Sequence, residues 1–383
     1  MRIVLVTFGS EGHARPILSL AVGLMEAGHD VTVVGDGTAS GLALDAGVDF
    51  ASLGGGDATN RASRVLAWHN RIGEVAGDAD AIVGSSDPAW VAVSVADSIH
   101  VPSLIASLHP VAPSRELPHP LSPRFDLPGP LVRHTGRLAA GNVWRAARDP
   151  LMAARARLGL PTFPRPWEDV TFLLGYSPTL VPRPSDWDDL QVVTGEWTMP
   201  RGDRGLPAGL AEFLDAGEPP VYVGFGASQL LERPKVRAAL TQALEGRRIL
   251  AVGPGSAELR AESPEGVFAV PHVEHDLVFP RCAVAIHHAA PGTTHSAVRW
   301  TVPSVTVPLE GDQPFWAWRI EELGVGAAPL SRNRLTPATV AEAVEAASNP
   351  NVEHRLDRLA DSMRRERGVA EAVAVIERVA EAG

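Results

Sequence analysis

Short apolar runs alternate with amphipathic segments along the first part of the chain. Ile3–Thr7 is an apolar run typical of a buried parallel strand, and Pro16–Ala27 carries apolar residues at helical spacing. The same order continues with strands at Val31–Val34, Ala81–Val83 and Ser103–Ile105 and a helix at Ala89–Ile99. Strands that alternate with helices predict a doubly wound parallel sheet.

A second alternating series begins after Pro220. Its predicted strands are Val221–Gly224, Arg248–Val252, Val267–Val270, Val284–Ile286 and Ser304–Val307, and its predicted helices are Lys235–Leu244 and Thr293–Trp300. A chain of 383 residues has room for two such domains. We therefore predict domains at residues 1–200 and 201–365, and a C-terminal helix at 366–383 that packs back on the first domain.

The middle of the chain has a different pattern. Prolines crowd the segment His109–Trp187. We expect long loops and short helices there rather than sheet, and loops of this kind often carry functional surfaces.

Composition excludes several classes of protein. The net charge of −11 argues against a nucleic-acid binder, which usually has a basic face. Cys282 is the only cysteine, so an intrachain disulfide is impossible, and its apolar neighbours suggest a buried small residue. No signal peptide and no transmembrane stretch is recognisable, and no metal-ligand cluster stands out. We expect a cytoplasmic protein, either a monomer or a homodimer.

The sequence HHAAPGTT, His287–Thr294, is the most informative part of the chain. It joins a predicted strand to a helix that starts near Gly292. Helix N-termini bind phosphate because their first N–H groups are unpaired and the helix dipole is positive there. Gly292 permits close approach, Thr293 and Thr294 add hydroxyl groups, and His288 can donate a ring N–H. The alternative is an ordinary helix start with two incidental histidines. Neither a P-loop nor a GxGxxG pattern is present.

These residues carry a resemblance to a known family. HHAAPGTT, followed by VPSVTVPLEGDQPFWAWRIEELGVG at Val302–Gly326, resembles the nucleotide-sugar signature of the UDP-glycosyltransferase superfamily. The branch is that of bacterial enzymes akin to sterol glucosyltransferases and to enzymes that glycosylate glycopeptide antibiotics. Looser matches lie at His109–Leu121, Leu180–Asp189 and Val193–Trp197.

The resemblance implies a fold and an activity. The fold is GT-B, in which two Rossmann-like, doubly wound domains face each other across a cleft. The activity is inverting transfer of a hexose from a UDP- or TDP-sugar to a hydroxyl of a small, lipophilic acceptor, either a natural product or a sterol-like molecule. The segment His109–Trp187 is expected to line the acceptor pocket. Neither a metal ion nor another cofactor is implied.

Roles are also implied residue by residue. His288 would contact the diphosphate, with Gly292, Thr293 and Thr294 cradling it through backbone and hydroxyl groups. Asp312 and Gln313 would bind the donor sugar, although spacing alone would make Asp312 a structural residue before the Pro314 helix.

Some positions depart from the family pattern. The family's Gly-Gly-Ala is Ala289-Ala290-Pro291 here, its Pro-His is Glu274-His275, and its GFGS is GFGA at 224–227. Candidates for base and ribose contacts are His272, Val273 and His275, and the candidate for the displaced hydroxyl is Ser228. The choice between UDP and TDP stays open.

A general base is expected at the end of the first strand, in GSEGHARP. Inverting transfer needs a base at the acceptor hydroxyl, and histidine is the residue type that ordinarily titrates nearest neutrality. His13 is therefore the candidate and Glu11 a weaker one; a solvated surface histidine is the alternative. Asp87 is the candidate to orient His13, although alignment to the family favours Ser86 and an N-cap role also suits Asp87.

Two other functions fit the sequence less well. A UDP-N-acetylglucosamine 2-epimerase shares the GT-B architecture, but the HHxxxGTT and DQPFW elements fit transferases better. A non-catalytic partner of a transferase is disfavoured by the presence of His13, His288, Asp312 and Gln313.

Overall fold

The computed structural model describes residues 1–54, 60–122, 127–162, 170–199, 205–263 and 265–382. The chain divides into two compact units. The first contains Met1–Pro178, Pro182–Gly202 and Glu366–Gly383, and the second contains Thr179–Val181 and Asp203–Arg365. The domain junction predicted at 200/201 lies outside the described residues.

The described elements alternate between strand and helix in both units. The strands are β1 Arg2–Val6, β2 Asp30–Gly35, β3 Asp49–Ser52, β4 Ala81–Ser85, β5 Ser103–Ser107, β6 Thr171–Leu174, β7 Gln191–Val193, β8 Val221–Gly224, β9 Ile249–Val252, β10 Val267–Val270, β11 Val284–His287 and β12 Ser304–Thr306. The helices are α1 Glu11–Glu26, α2 Gly37–Ala46, α3 Arg61–Val75, α4 Ala89–Ile99, α5 Gly129–Arg157, α6 Leu210–Asp215, α7 Pro234–Ala243, α8 Ser256–Glu262, α9 His275–Val278, α10 Pro291–Arg299, α11 Gln313–Leu323, α12 Pro337–Ala347, α13 Pro350–Met363 and α14 Gly368–Ala382.

Both sheets are parallel, and their central topology is the same. The first has the order β3-β2-β1-β4-β5-β6-β7 and the second the order β10-β9-β8-β11-β12. In each sheet the chain reverses its direction of progress between the first and the fourth strand of the unit. Ligands of doubly wound sheets bind at this switch point, beyond the carboxyl ends of the strands. The predicted doubly wound α/β architecture is confirmed.

Burial on both sheet faces explains the continuous apolar runs. In β1, Ile3 and Leu5 belong to one core cluster, and Val4 and Val6 belong to a cluster on the opposite face. Helix α14 packs in the first of these clusters through residues such as Val373, beside α1. None of the described helices combines the length and apolar composition that crossing a bilayer requires.

The expectation of long loops and short helices without sheet in His109–Trp187 is wrong for part of that segment. It contains α5, which is 29 residues long, and β6, which pairs with β5 and β7. Pro130 lies in the first turn of α5, where a missing N–H costs nothing, and Pro150 is tolerated inside a helix that buries Trp144 and Leu151. The density of prolines gave a wrong prediction for this helix because Pro130 and Pro150 do not terminate it.

Candidate functional site

The switch point of the second sheet brings the β8 and β11 ends together. The two strands are adjacent, with His287 paired to Gly224. Just beyond them, Gly226 adopts φ +59°, and a Cβ placed there would lie 3.0 Å from Cε1 and Nε2 of the His288 ring. Glycine at 226 therefore lets the backbone pack directly against the imidazole of His288.

Helix α10 begins at this point, at the end of β11. Its N-cap, Ala290, offers no side-chain cap, and Pro291 occupies the first turn. Thr294 N–H donates to the Ala290 carbonyl at 2.9 Å, so the expectation that its backbone would cradle a phosphate is wrong: this N–H closes the first helical turn. The N–H groups of Gly292 and Thr293 precede that bond, and a Cβ at Gly292 would have nothing within 4 Å. The predicted helix N-terminus at a strand end is confirmed.

Three histidines of this segment are buried and uncharged at neutral pH. Burial lowers the pKa of His287 to about 3, and the like charges of His288 and His275 lower it further. Burial lowers the pKa of His288 to about 4, although a backbone hydrogen bond at Gly224 and the Asp312 carboxylate oppose the shift. The pKa of His295 falls to about 4 for the same main reason. Such rings act as fixed hydrogen-bonding groups rather than as cations.

Three buried polar atoms of the segment His287–Thr294 have no hydrogen-bond partner within the described residues. They are Nε2 of His287, Nδ1 of His288 and Oγ1 of Thr294. Buried polar groups are nearly always paired in folded proteins, so such atoms at a helix N-terminus are suited to meet an anionic ligand.

Asp312 and Gln313 lie at the start of α11. Gln313 Oε1 accepts from the backbone N–H groups of Leu309 at 2.7 Å and Glu310 at 3.1 Å, which fixes the amide. Asp312 Oδ2 accepts from Nε1 of Trp316 at 3.0 Å. The two side chains are held in place, and the effect of Asp312 on the His288 pKa places its charge close to that ring.

The remaining candidates of the second unit have varied surroundings. Ser228 Oγ accepts from the Leu230 N–H at 3.2 Å and caps a short 3₁₀ turn. His272 is exposed, whereas the side chain of Val273 is buried. The His275 ring stacks on Phe279 at 4.6 Å, and its Nε2 lies 3.1 Å from the Tyr222 hydroxyl. Because its side chain is buried, Val273 can contact a ligand only through its backbone.

His13 follows β1, the first strand at the switch point of the first sheet. It is exposed, and its Nδ1 lies 3.0 Å from Oγ of Ser10. The prediction that His13 sits in a loop before a helix at Pro16 is wrong, because α1 already begins at Glu11. Ser10 is the N-cap residue but makes no side-chain capping hydrogen bond, Glu11 lies in the first turn, and Pro16 lies inside the helix.

Glu11, the weaker candidate base, is engaged in an ion pair. Its Oε1 accepts from Nε of Arg15 at 2.8 Å, one helical turn away. The Glu11 carboxylate is therefore held by a neighbouring guanidinium, whereas the hydrogen bond of the His13 side chain within the described residues is to a hydroxyl.

Asp87 follows β4, which is the strand next to β1. It is exposed, and the structure contains no hydrogen bond between Asp87 and His13, both of which are described residues. The N-cap of α4 is Pro88 without a side-chain cap, so the alternative role of Asp87 as N-cap is wrong. Ser86 adopts φ +57°, which turns the chain sharply after the strand.

The sequence interpretation missed three contributors. Ser10 could have been found from its spacing, because residues three apart meet on a helical turn. Gly226 could have been found from the GFGA sequence. No sequence pattern could have identified His287, because its partner is a backbone N–H in a loop whose conformation is set by the fold.

Comparisons with known proteins agree with these features. Residues 3–113 match the Glycosyltransferase family 28 N-terminal domain. Residues 238–379 match the Erythromycin biosynthesis protein CIII-like, C-terminal domain. The match to the second model includes the entire loop His287–Thr294.

Relatives of known activity cover the length of this chain. It is 30% identical to O-mycaminosyltylonolide 6-deoxyallosyltransferase of Streptomyces fradiae, with 100% of this chain and 98% of that protein covered. It is 29% identical to a sterol 3-beta-glucosyltransferase of Arabidopsis thaliana, with 97% of this chain covered. The chain spans only 64% of the length of that plant relative.

Solved structures extend the agreement to the fold. Glycosyltransferase VinC in complex with DTDP superposes with a TM-score of 0.74 at 18% identity, covering 100% of both chains. The predicted GT-B fold is confirmed. The chain belongs to the UDP-glycosyltransferase superfamily.

Proposed function

We propose that this enzyme transfers a hexose from a UDP- or TDP-sugar to a hydroxyl of a small lipophilic acceptor, with inversion at the anomeric carbon. The observation that carries the proposal is the start of α10 at the β8/β11 switch point. There, the N–H groups of Gly292 and Thr293 belong to the first turn of α10, which follows the buried ring of His288 in the chain. This arrangement suits a diphosphate whose negative charge increases as the sugar departs.

The acceptor class is proposed from the relatives. One relative is named for transfer to a sterol and another for transfer to O-mycaminosyltylonolide. For the donor, VinC was solved with DTDP, which supports testing a TDP-sugar beside a UDP-sugar.

Asp312 and Gln313 are proposed to hold the donor sugar. Gln313 uses its carbonyl oxygen on two backbone N–H groups, so its amide nitrogen is directed away from that contact and can donate to a sugar hydroxyl. Asp312 shares its carboxylate with Trp316, which fixes the orientation in which it can accept from a hydroxyl. For base and ribose, the candidates remain His272, the backbone of Val273, and His275, with Ser228 for the phosphates.

His13 is proposed as the general base. In the tautomer whose Nδ1–H donates to Ser10 Oγ, Nε2 is unprotonated and can take the acceptor proton. As that proton leaves, the acceptor oxygen forms a bond to the anomeric carbon, and the bond from that carbon to the diphosphate oxygen breaks. Attack opposite the leaving group inverts the configuration, and no covalent sugar–enzyme intermediate is required.

A transfer assay tests the proposal. The purified enzyme is given UDP-glucose or TDP-glucose with a panel of sterols and macrolides, and the anomeric configuration of each product is read by NMR. The expected product has inverted configuration and appears equally in EDTA, since the α10 amides and His288 are proposed to replace a cation. A product of retained configuration would overturn the mechanism, and conversion of the donor without any acceptor would favour an epimerase.

A further inference from the structure

The loop between β11 and α10 contains an unusual backbone conformation. Ala289 adopts φ +62°, in the left-handed region, and is fully buried. This region is unfavourable for a residue with a Cβ, by roughly 1–2 kcal/mol. Such a conformation persists only where neighbouring contacts enforce it.

One such contact comes from His287, two residues earlier. Its Nδ1 accepts a hydrogen bond from the Ala289 N–H at 3.2 Å, and both groups are buried. An acceptor that binds the N–H two residues ahead is the geometry by which Asn and Asp side chains fix turns. Burial keeps the pKa of His287 near 3, so the Nδ1 lone pair is present at any physiological pH.

The backbone of His287 is itself fixed. The residue pairs with Gly224 of β8 on one side and with Thr306 of β12 on the other. The imidazole is thus anchored to the end of an interior strand of a parallel sheet and holds the first turn of the loop that follows.

Only two residues separate this turn from the first free amide of α10. Ala290 has ordinary angles of φ −66° and ψ 150°, and the ring of Pro291 restricts its own φ. The φ of Ala289 therefore sets the direction in which the helix starts, and with it the direction of the Gly292 and Thr293 N–H groups.

We propose that His287 is a positioning residue of the donor site: its Nδ1 holds Ala289 in the left-handed conformation and thereby aims the Gly292 and Thr293 amides at the diphosphate. This inference rests on the proposed function of that site. It assigns His287 no contact with the substrate.

A cycle of substitutions tests this role, with the Kd of UDP and TDP measured by calorimetry. His287→Leu fills the space of the ring without an acceptor, and His287→Asn keeps an acceptor oxygen near the place of Nδ1. We expect His287→Leu to weaken binding about tenfold, as for loss of one buried hydrogen bond, and His287→Asn to stay within about threefold of the wild type.

The decisive variant is His287→Leu combined with Ala289→Gly. Glycine adopts φ +62° without help, so the double variant should regain most of the lost affinity. His287→Leu combined with Ala290→Gly is the matched control: the added glycine lies at a negative φ and should restore nothing. A role of His287 in packing alone would not be rescued by Ala289→Gly.

The outcomes separate the two proposals. A wild type that binds neither nucleotide overturns the donor site and this inference together. A wild type that binds, with His287→Leu unchanged or with no gain from Ala289→Gly, overturns the inference alone. If His287→Leu does not fold, the same cycle is run with His287→Ala. In addition, the free energies of unfolding of Ala289→Gly and Ala290→Gly are compared in the otherwise wild-type chain. Equal effects of these two substitutions would contradict the strain at Ala289.

Discussion

Two strand-to-helix turns lie at the switch points of the two sheets, and the histidines in them have opposite surroundings. Each follows a strand at the switch point, β1 in the first unit and β11 in the second. In the first turn, His13 lies on the helix, is exposed and contacts Ser10. In the second, His287 and His288 precede the helix and are buried with low pKa values.

The two turns differ in the burial of their histidines, and burial determines which chemistry an imidazole can perform. A buried neutral imidazole is a rigid hydrogen-bonding group with little need to reorganise during reaction, which suits the binding of a leaving diphosphate. An exposed imidazole can exchange its proton with solvent after each turnover, which suits a general base. In the proposed mechanism, a strand-to-helix turn thus serves a different role in each unit.

The largest expected effect is on the exposed turn. His13→Ala should reduce kcat by about 100–10,000-fold, the usual contribution of a positioned base, while donor affinity is retained. Steady-state kinetics with an alcohol acceptor and calorimetry with the nucleotide measure the two quantities. His354→Ala, which removes an exposed histidine of α13, is the control and should leave both unchanged. A near-normal rate for His13→Ala on an alcohol would remove His13 from the mechanism; a phenol is a weaker test because its hydroxyl is more acidic.

The second expected effect concerns the buried turn and the stability of the fold. Burial lowers the pKa of His295 to about 4, below the value near 6.5 expected in the unfolded chain. The unfolded state therefore binds the proton more readily. The contribution of neutral His295 to the free energy of unfolding is fully present above pH 6.5 and is lost as pH falls toward 4. The expected loss is on the order of 3 kcal/mol.

Urea unfolding at several pH values measures this loss. His295 Nδ1 lies 2.7 Å from the Pro291 carbonyl, and His295→Asn keeps an N–H donor while removing the titration. The variant should lose less stability than the wild type between pH 6.5 and 4. His354→Asn should follow the wild type, and equal slopes for all three proteins would contradict a depressed pKa at His295.

The third expected effect lies at the phosphate site itself. His288→Ala should weaken UDP and TDP binding by about 1.5–3 kcal/mol, the range for a hydrogen bond to a charged group. Since burial lowers the pKa of His288 to about 4, wild-type affinity should show no loss from deprotonation of this ring between pH 5 and 8. Calorimetry over that range checks both statements. Unchanged affinity in His288→Ala would contradict the assignment.

The contrast between the turns also explains what could be predicted from the sequence. Apolar runs such as Val221–Gly224 and Val267–Val270 predicted strands with the observed bounds, because strands buried on both faces have a continuous apolar pattern. The start of α10 was predictable because a strand, a glycine and threonines follow one another locally. Other features depend on tertiary packing and could not be predicted from local sequence. They are the burial of His287, the positive φ of Ala289, and the continuation of α5 through Pro150.

The smallest expected effect separates two candidates for orienting His13. The Ser10 hydroxyl lies 3.0 Å from Nδ1 in an exposed contact, so Ser10→Ala should reduce kcat by about two- to tenfold, as for one ordinary hydrogen bond. Asp87, predicted from the sequence to fill this role, makes no hydrogen bond to His13 in the described structure, so Asp87→Asn should change kcat by less than Ser10→Ala does. Both variants are compared over a pH–rate profile, because a residue that orients the base shifts the acidic limb of the profile, whereas a merely structural residue lowers the whole curve. A larger effect and a shifted limb in Asp87→Asn would restore Asp87 as the partner of the base and would mean that the exposed turn, unlike the buried one, rearranges when substrates bind.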